Sequence, residues 1–174
     1  MHMRWYKVPS VLAVLTLFAC APSDEVSPAE QAVEEQVIRD LVLAWEKGVN
    51  SLKWDSVTMF YHKSPDMVAI WSDGRRTQGW EAESTATAEF LGRTTAINFD
   101  VQEPSTQVLS RRVALTTFRH AMDLTDSLSG RQLFSGYGTL VWIKDPADNR
   151  WKIHARQISR NPPPPQPAQP ARRR

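Results

Sequence analysis

The hydrophobic pattern of this chain changes its period once, near Gly92, and that change restricts the fold more than any single motif does. Before it, apolar residues recur at helical spacing. After it they alternate, as they do along half-buried strands. Ser27-Pro28-Ala29-Glu30 reads as a helix start, with serine as N-cap, proline in the first turn and glutamate reaching back. Val33, Val37, Leu41, Ala44 and Trp45 follow at helical spacing, with Ile38, Val42 and Val49 widening the stripe. A short second helix with Trp54, Val57, Met59 and Phe60 is expected after the Asn50-Ser51 turn. Met67 to Trp71 is an apolar run ending in Ser72-Asp73-Gly74, which predicts a strand, a tight turn and a second strand. Gly79 and Gly92 bracket a third helix carrying Ala82, Ala86 and Phe90, with Trp80 at its entry.

Beyond Gly92, Ile97, Phe99 and Val101 alternate with polar residues. Residues 113–125, 133–144 and 150–159 read as three further strands, separated by Ser129-Gly130 and by the 145–149 turn. Long neighbouring strands with short connections form an antiparallel meander. The expected class is therefore α+β, with a strongly curved, mainly antiparallel sheet wrapped around three helices.

The N-terminus reads as an address. Arg4 and Lys7 precede the apolar run Val11 to Ala19, which is shorter than the roughly 20 residues a membrane-spanning helix needs. Residues 1–19 are thus expected to be a signal peptide. Leu17-Phe18-Ala19-Cys20 resembles the bacterial lipobox, which makes Cys20, the only cysteine, the expected lipidation site. Residues 20–30 then form a tether from the membrane, 31–160 the domain, and 161–174 a proline-rich disordered tail ending in Arg172-Arg173-Arg174. The expected location is the cell envelope. Ala21, in place of an inner-membrane retention aspartate, favours the periplasmic face of the outer membrane in a diderm host.

Lys+Arg 21 against Asp+Glu 19 gives a net charge of +2, too little for electrostatic binding of nucleic acid. One cysteine supplies neither an internal disulfide nor a cysteine-based metal site. No phosphate loop, nucleophile elbow or dinucleotide fingerprint is legible, so the sequence implies no cofactor and no metal.

The element order, the segment Ser72-Asp73-Gly74…Gly79-Trp80-Glu81-Ala82 and the ending Gly138-Thr139-Leu140-Val141-Trp142…Arg150-Trp151-Lys152-Ile153…Ser159 resemble the SnoaL-like branch of the nuclear-transport-factor-two-like (NTF2-like) superfamily. The resemblance covers roughly residues 31 to 160. It implies a cone whose concave sheet and long first helix enclose a pocket, which family members use for isomerase, dehydratase, cyclase or hydrolase chemistry, for binding, or for assembly. Two catalytic patterns do not carry over. The acid tyrosine and basic aspartate of the ketosteroid isomerases, relatives by fold, fall at about Trp45 and Trp71, and indole transfers no protons near neutral pH. The His-x-His of many SnoaL-like final strands falls at Ala155 and Gln157, while His154 is expected on the opposite strand face from Trp151, Ile153, Ala155 and Gln157.

The expected pocket residues are Trp45, Tyr61, Trp71, His120, Tyr137 and Gln157. His120 shares a strand face with Phe118, Met122 and Leu124, so it is either a titratable pocket group or a satisfied core histidine. Tyr137 lies between Gly136 and Gly138, where small neighbours leave room for a ligand or for a sheet bend. Asp73 is first a turn residue, and His62 is expected in solvent. The leading expectation is a lipid-anchored domain that binds a small, largely apolar molecule or a protein partner. The alternatives are an enzyme using His120 with Tyr137, and a purely structural module whose pocket its own side chains fill. The resemblance also implies a homodimer through the outer sheet face, here with Val141, Ile143 and His154.

Overall fold

The computed structural model describes residues 26–162. The expected signal peptide, Cys20 and the arginine-ended tip of the expected tail lie outside those residues.

Helix α1 (Pro28–Asn50) opens with the expected capping box: Ser27 Oγ accepts from the Glu30 N–H, and the Glu30 carboxylate accepts from the Ser27 N–H at 3.1 Å. The helix begins where the sequence predicts it, with Ser27 as its cap and Pro28 as its first residue. Its buried stripe is Ile38, Val42, Trp45 and Val49, whereas Val33 and Val37 are exposed. The sheet meets the face centred on Ile38 and Val42, which with Val49 are the three residues expected only to widen the stripe. Gly48 lets α2 (Trp54–Thr58) pack close, since a Cβ there would lie 2.2 Å from the Ser56 carbonyl oxygen.

The hairpin β1 (Val68–Ile70) and β2 (Arg76–Gln78) leads into α3 (Trp80–Arg93). Gly92 falls inside the last turn of α3 and does not end it; the chain passes through Thr94 straight into a strand. Four strands follow: β3 (Thr94–Ser110), β4 (Val113–Asp126), β5 (Gly130–Lys144) and β6 (Trp151–Ile158). They form the expected meander in a curved, unclosed six-stranded sheet of order β2-β1-β6-β5-β4-β3. The sheet is mixed, because β1 runs parallel to β6. The α+β class and the wrapped architecture are those expected from the sequence.

The core lies between α1 and the concave face. The Trp45 ring meets Phe99 edge-on, with centroids 5.6 Å apart and planes at 85°. Asn50 clamps the end of α1 to β3 with two hydrogen bonds to the Phe99 backbone, at 2.8 and 2.7 Å. Glu34 accepts from Trp151 Nε1 at 2.7 Å and pairs with Lys144, which fixes the start of α1 over the last strands.

One irregularity decides which side chains reach the interior. In the β5–β6 ladder, Trp142 pairs with Ile153 and Val141 with Ala155, so His154 is an extra residue in β6. Alternation restarts after it. Trp151, Ile153, Arg156 and Ile158 are buried, and Gln157 is exposed.

Candidate ligand-binding cavity

A cavity of about 350 Å³ lies among residues of α1, α3 and the sheet, a volume in the range of small-molecule sites. Trp45 of α1 and Tyr61 after α2 line it, together with Phe90 of α3, Phe99 of β3 and Phe134 of β5. Trp71 and Arg75, from the two sides of the β1–β2 turn, Leu128 from the β4–β5 turn and Arg160 after β6 also contribute.

Its polar centre is an ion pair that the bulge in β6 creates. Arg156 Nη2 donates to Glu83 Oε1 at 2.7 Å, with both side chains buried. Glu83 also accepts from Thr87 Oγ1 at 3.3 Å, Thr77 Oγ1 at 2.6 Å and Trp71 Nε1 at 3.1 Å. The Arg156 guanidinium lies 4.3 Å from the Trp71 ring centroid and that of Arg75 lies 4.9 Å from it. Burial opposes the charge on Arg156, but Tyr61 and Glu83 outweigh it and raise its pKa above the ordinary value. Burial is also the main reason that the Tyr61 hydroxyl is pushed up. Arg156 favours the phenolate and Glu83 opposes it, and burial keeps the Tyr61 hydroxyl protonated.

The carboxylates around the cavity are already engaged. Asp126 accepts the N–H groups of Leu128 and Ser129 at 2.8 and 2.9 Å, bonds that hold its pKa down, and faces Arg93 at 3.6 Å. Asp73 accepts the Arg75 N–H at 2.9 Å, as a turn residue does. The Arg160 guanidinium lies 3.8 Å from the Phe134 ring centroid and donates to Ser72 Oγ and Gln132 Oε1, both at 3.2 Å.

The structure brings together three of the six expected pocket residues. Trp45, Tyr61 and Trp71 line the cavity; His120, Tyr137 and Gln157 do not. His120 is buried in the wall among Phe99, Phe118 and Phe134, and its Nε2 donates to the Ser159 carbonyl at 3.0 Å. That bond leaves Nδ1 as the acceptor nitrogen, buried without a partner. Burial above all, with the Arg160 charge, holds the His120 pKa below the usual histidine value.

Tyr137 is 60% exposed and on the other face of β5, so His120 and Tyr137 form no catalytic pair. The room beside Tyr137 is taken by protein. A Cβ on Gly138 would lie 2.1 Å from the Phe118 ring, and one on Gly136 would lie 2.0 Å from the Ser159 carbonyl oxygen. Gln157 is turned out by the bulge at His154, which brings Arg156 inward. The sequence reading missed Arg156 and Glu83. Glu83 carried a legible signal, since with Thr87 it occupies the helix face of Ala86 and Phe90; Arg156 carried none, because strict alternation points it outward.

No family model matches the sequence, and no curated protein matches it. Solved structures do share its fold. An NTF2-like superfamily protein from Salmonella enterica serovar Typhimurium superposes with a TM-score of 0.66 at 17% identity, over 79% of this chain and 96% of that one. A protein from Novosphingobium aromaticivorans, provisionally assigned as a scytalone dehydratase, gives 0.65 at 12% identity over 75% and 85%. An uncharacterised cystatin-like protein from Caulobacter vibrioides gives 0.65 at 14% identity over 75% and 92%. The described domain has the NTF2-like cone fold, with a cavity lined from its helices and its sheet.

Proposed function

We propose that this chain is a lipid-anchored cell-envelope protein whose cone domain binds a small, largely apolar molecule. The observation that carries the reading is a cavity of about 350 Å³ that Trp45, Trp71, Phe90 and Phe134 wall without filling. Its inner charge, Arg156, is already compensated by Glu83, so an apolar ring can lie against Trp71 without uncovering an unpaired ion. Native mass spectrometry of the protein from its own host tests this: a retained small molecule is expected, and Trp71→Ala should lose it. A wild type that retains nothing and binds no apolar probe would overturn the reading.

The anchor rests on Cys20 and the apolar run before it. The intact mass of the membrane fraction should show a chain beginning at an acylated Cys20. A chain still beginning at Met1 would refute the anchor.

Tyr61 favours a second reading, catalysis. Tyr61 lines the cavity, and burial keeps its hydroxyl protonated near Arg156, so it can donate a hydrogen bond to a ligand oxygen that reaches it. Conversion of the retained molecule, slowed about 10²-fold or more in Tyr61→Phe, would support that reading over simple binding.

A further inference from the structure

His62 and His154 stand 92 residues apart in sequence, and the fold brings their Nδ1 atoms to 3.3 Å from one another. Two features of β6 create the contact. The segment after α2 joins the edge of β6 in parallel: Tyr61 pairs with Ile153, the Ile153 N–H donates to the Phe60 carbonyl at 2.8 Å, and the His62 N–H donates to the Ile153 carbonyl at 2.9 Å. The bulge then places His154, the unpaired extra residue, beside that segment. Both histidines are half-buried, and neither lines the ligand cavity.

As a hydrogen bond this contact is long, since N–H donors normally stand about 2.9 to 3.0 Å from their acceptors. It also requires one nitrogen to donate and the other to accept, because two imidazolium groups at this distance repel. The separation suits a different arrangement. Two imidazole nitrogens bound to one tetrahedral zinc ion at about 2.05 Å stand about 3.3 Å apart, with ring centroids about 5 Å apart. Here the centroids are 5.4 Å apart, and the ring planes are inclined at 53°.

We propose that His62 and His154 form a two-histidine chelate for a zinc-class divalent metal ion, bound through both Nδ1 atoms at the outer edge of β6. The surroundings suit a cation. The Asp66 carboxylate adds negative charge beside His154. The Lys63 ammonium is engaged elsewhere, 5.1 Å from the Trp80 ring centroid and 6.0 Å from that of Trp54. Among the described residues no cluster of three or more metal-binding side chains exists, so the protein supplies two of the ion's ligands.

Calorimetric titration of the chain with zinc chloride tests the proposal. One ion per chain is expected, with affinity lower by about tenfold or more in both His62→Gln and His154→Gln. In ¹⁵N-edited imidazole spectra of the wild type, zinc should shift the Nδ1 resonances of His62 and His154 and leave those of His120 in place. Unchanged zinc affinity in either variant would overturn the proposal. So would imidazole resonances that do not move in millimolar zinc, or zinc-induced shifts at Nε2 instead of Nδ1.

Discussion

Four donors close on the two oxygens of Glu83, and that is how a carboxylate 1% exposed is accommodated in the core. Removing it would leave Arg156 charged and buried without a counterion. Glu83→Ala is therefore expected to cost about 3 to 5 kcal/mol in urea unfolding, while the double substitution Glu83→Leu with Arg156→Leu recovers most of that loss. Equal losses in the single and double variants would show that the pair's geometry, and not the uncompensated charge, is what matters. His120 and His154 set a pH dependence. Burial lowers both pKa values in the folded state, so both contribute stability that is complete above about pH 6.5 and is lost as pH falls towards their folded values. Stability should drop between pH 7 and pH 5, and His120→Gln should flatten that slope; an unaltered slope would show that His120 keeps its ordinary protonation in the fold.

At the scale of the element, α1 and β6 show what pattern does and does not carry. The start of α1 is local chemistry, a serine and a glutamate three residues apart, and it forms as written. Ser27→Ala should cost about 1 kcal/mol by removing the cap, and the loss should appear first as faster hydrogen exchange in the opening turn of the helix. The buried face of α1 is set by the sheet, because the apolar residues reach most of the way around the helix and only the partner selects among them. In β6 a single extra residue reverses the facing of every later side chain. Gly136→Ala tests the same region from β5. Its Cβ would meet the Ser159 carbonyl, so the bond from His120 Nε2 should be lost, at a stability cost of about 1 to 3 kcal/mol.

For the molecule as a whole, pairing of two copies through the outer sheet face is the expectation to test. Val141 and Ile143 are half-buried on the side away from the core residues Leu140 and Trp142. Sedimentation of the Cys20→Ser chain should show a dimer at tens of micromolar, and Val141→Lys should shift it to monomer. A wild type that sediments only as monomer would refute pairing through this face.

The element order, the capped first helix, the hairpin at Ser72-Asp73-Gly74 and the antiparallel meander are legible in the chain, because each is governed by residues close together in it. The sequence also marked the aromatic walls of the cavity, Trp45, Tyr61 and Trp71, since large rings on a concave fold have few places to go. The polar interior follows from pairing between distant strands. A β-bulge has no reliable signature in the side chains around it, so the exchange of Gln157 for Arg156 depends on how β6 registers against β5. Tyr137 faces outward and His120 lies behind the cavity wall for the same kind of reason: strand facing is fixed by pairing across the sheet, and the space beside a glycine is filled by whatever the neighbouring strand brings to it.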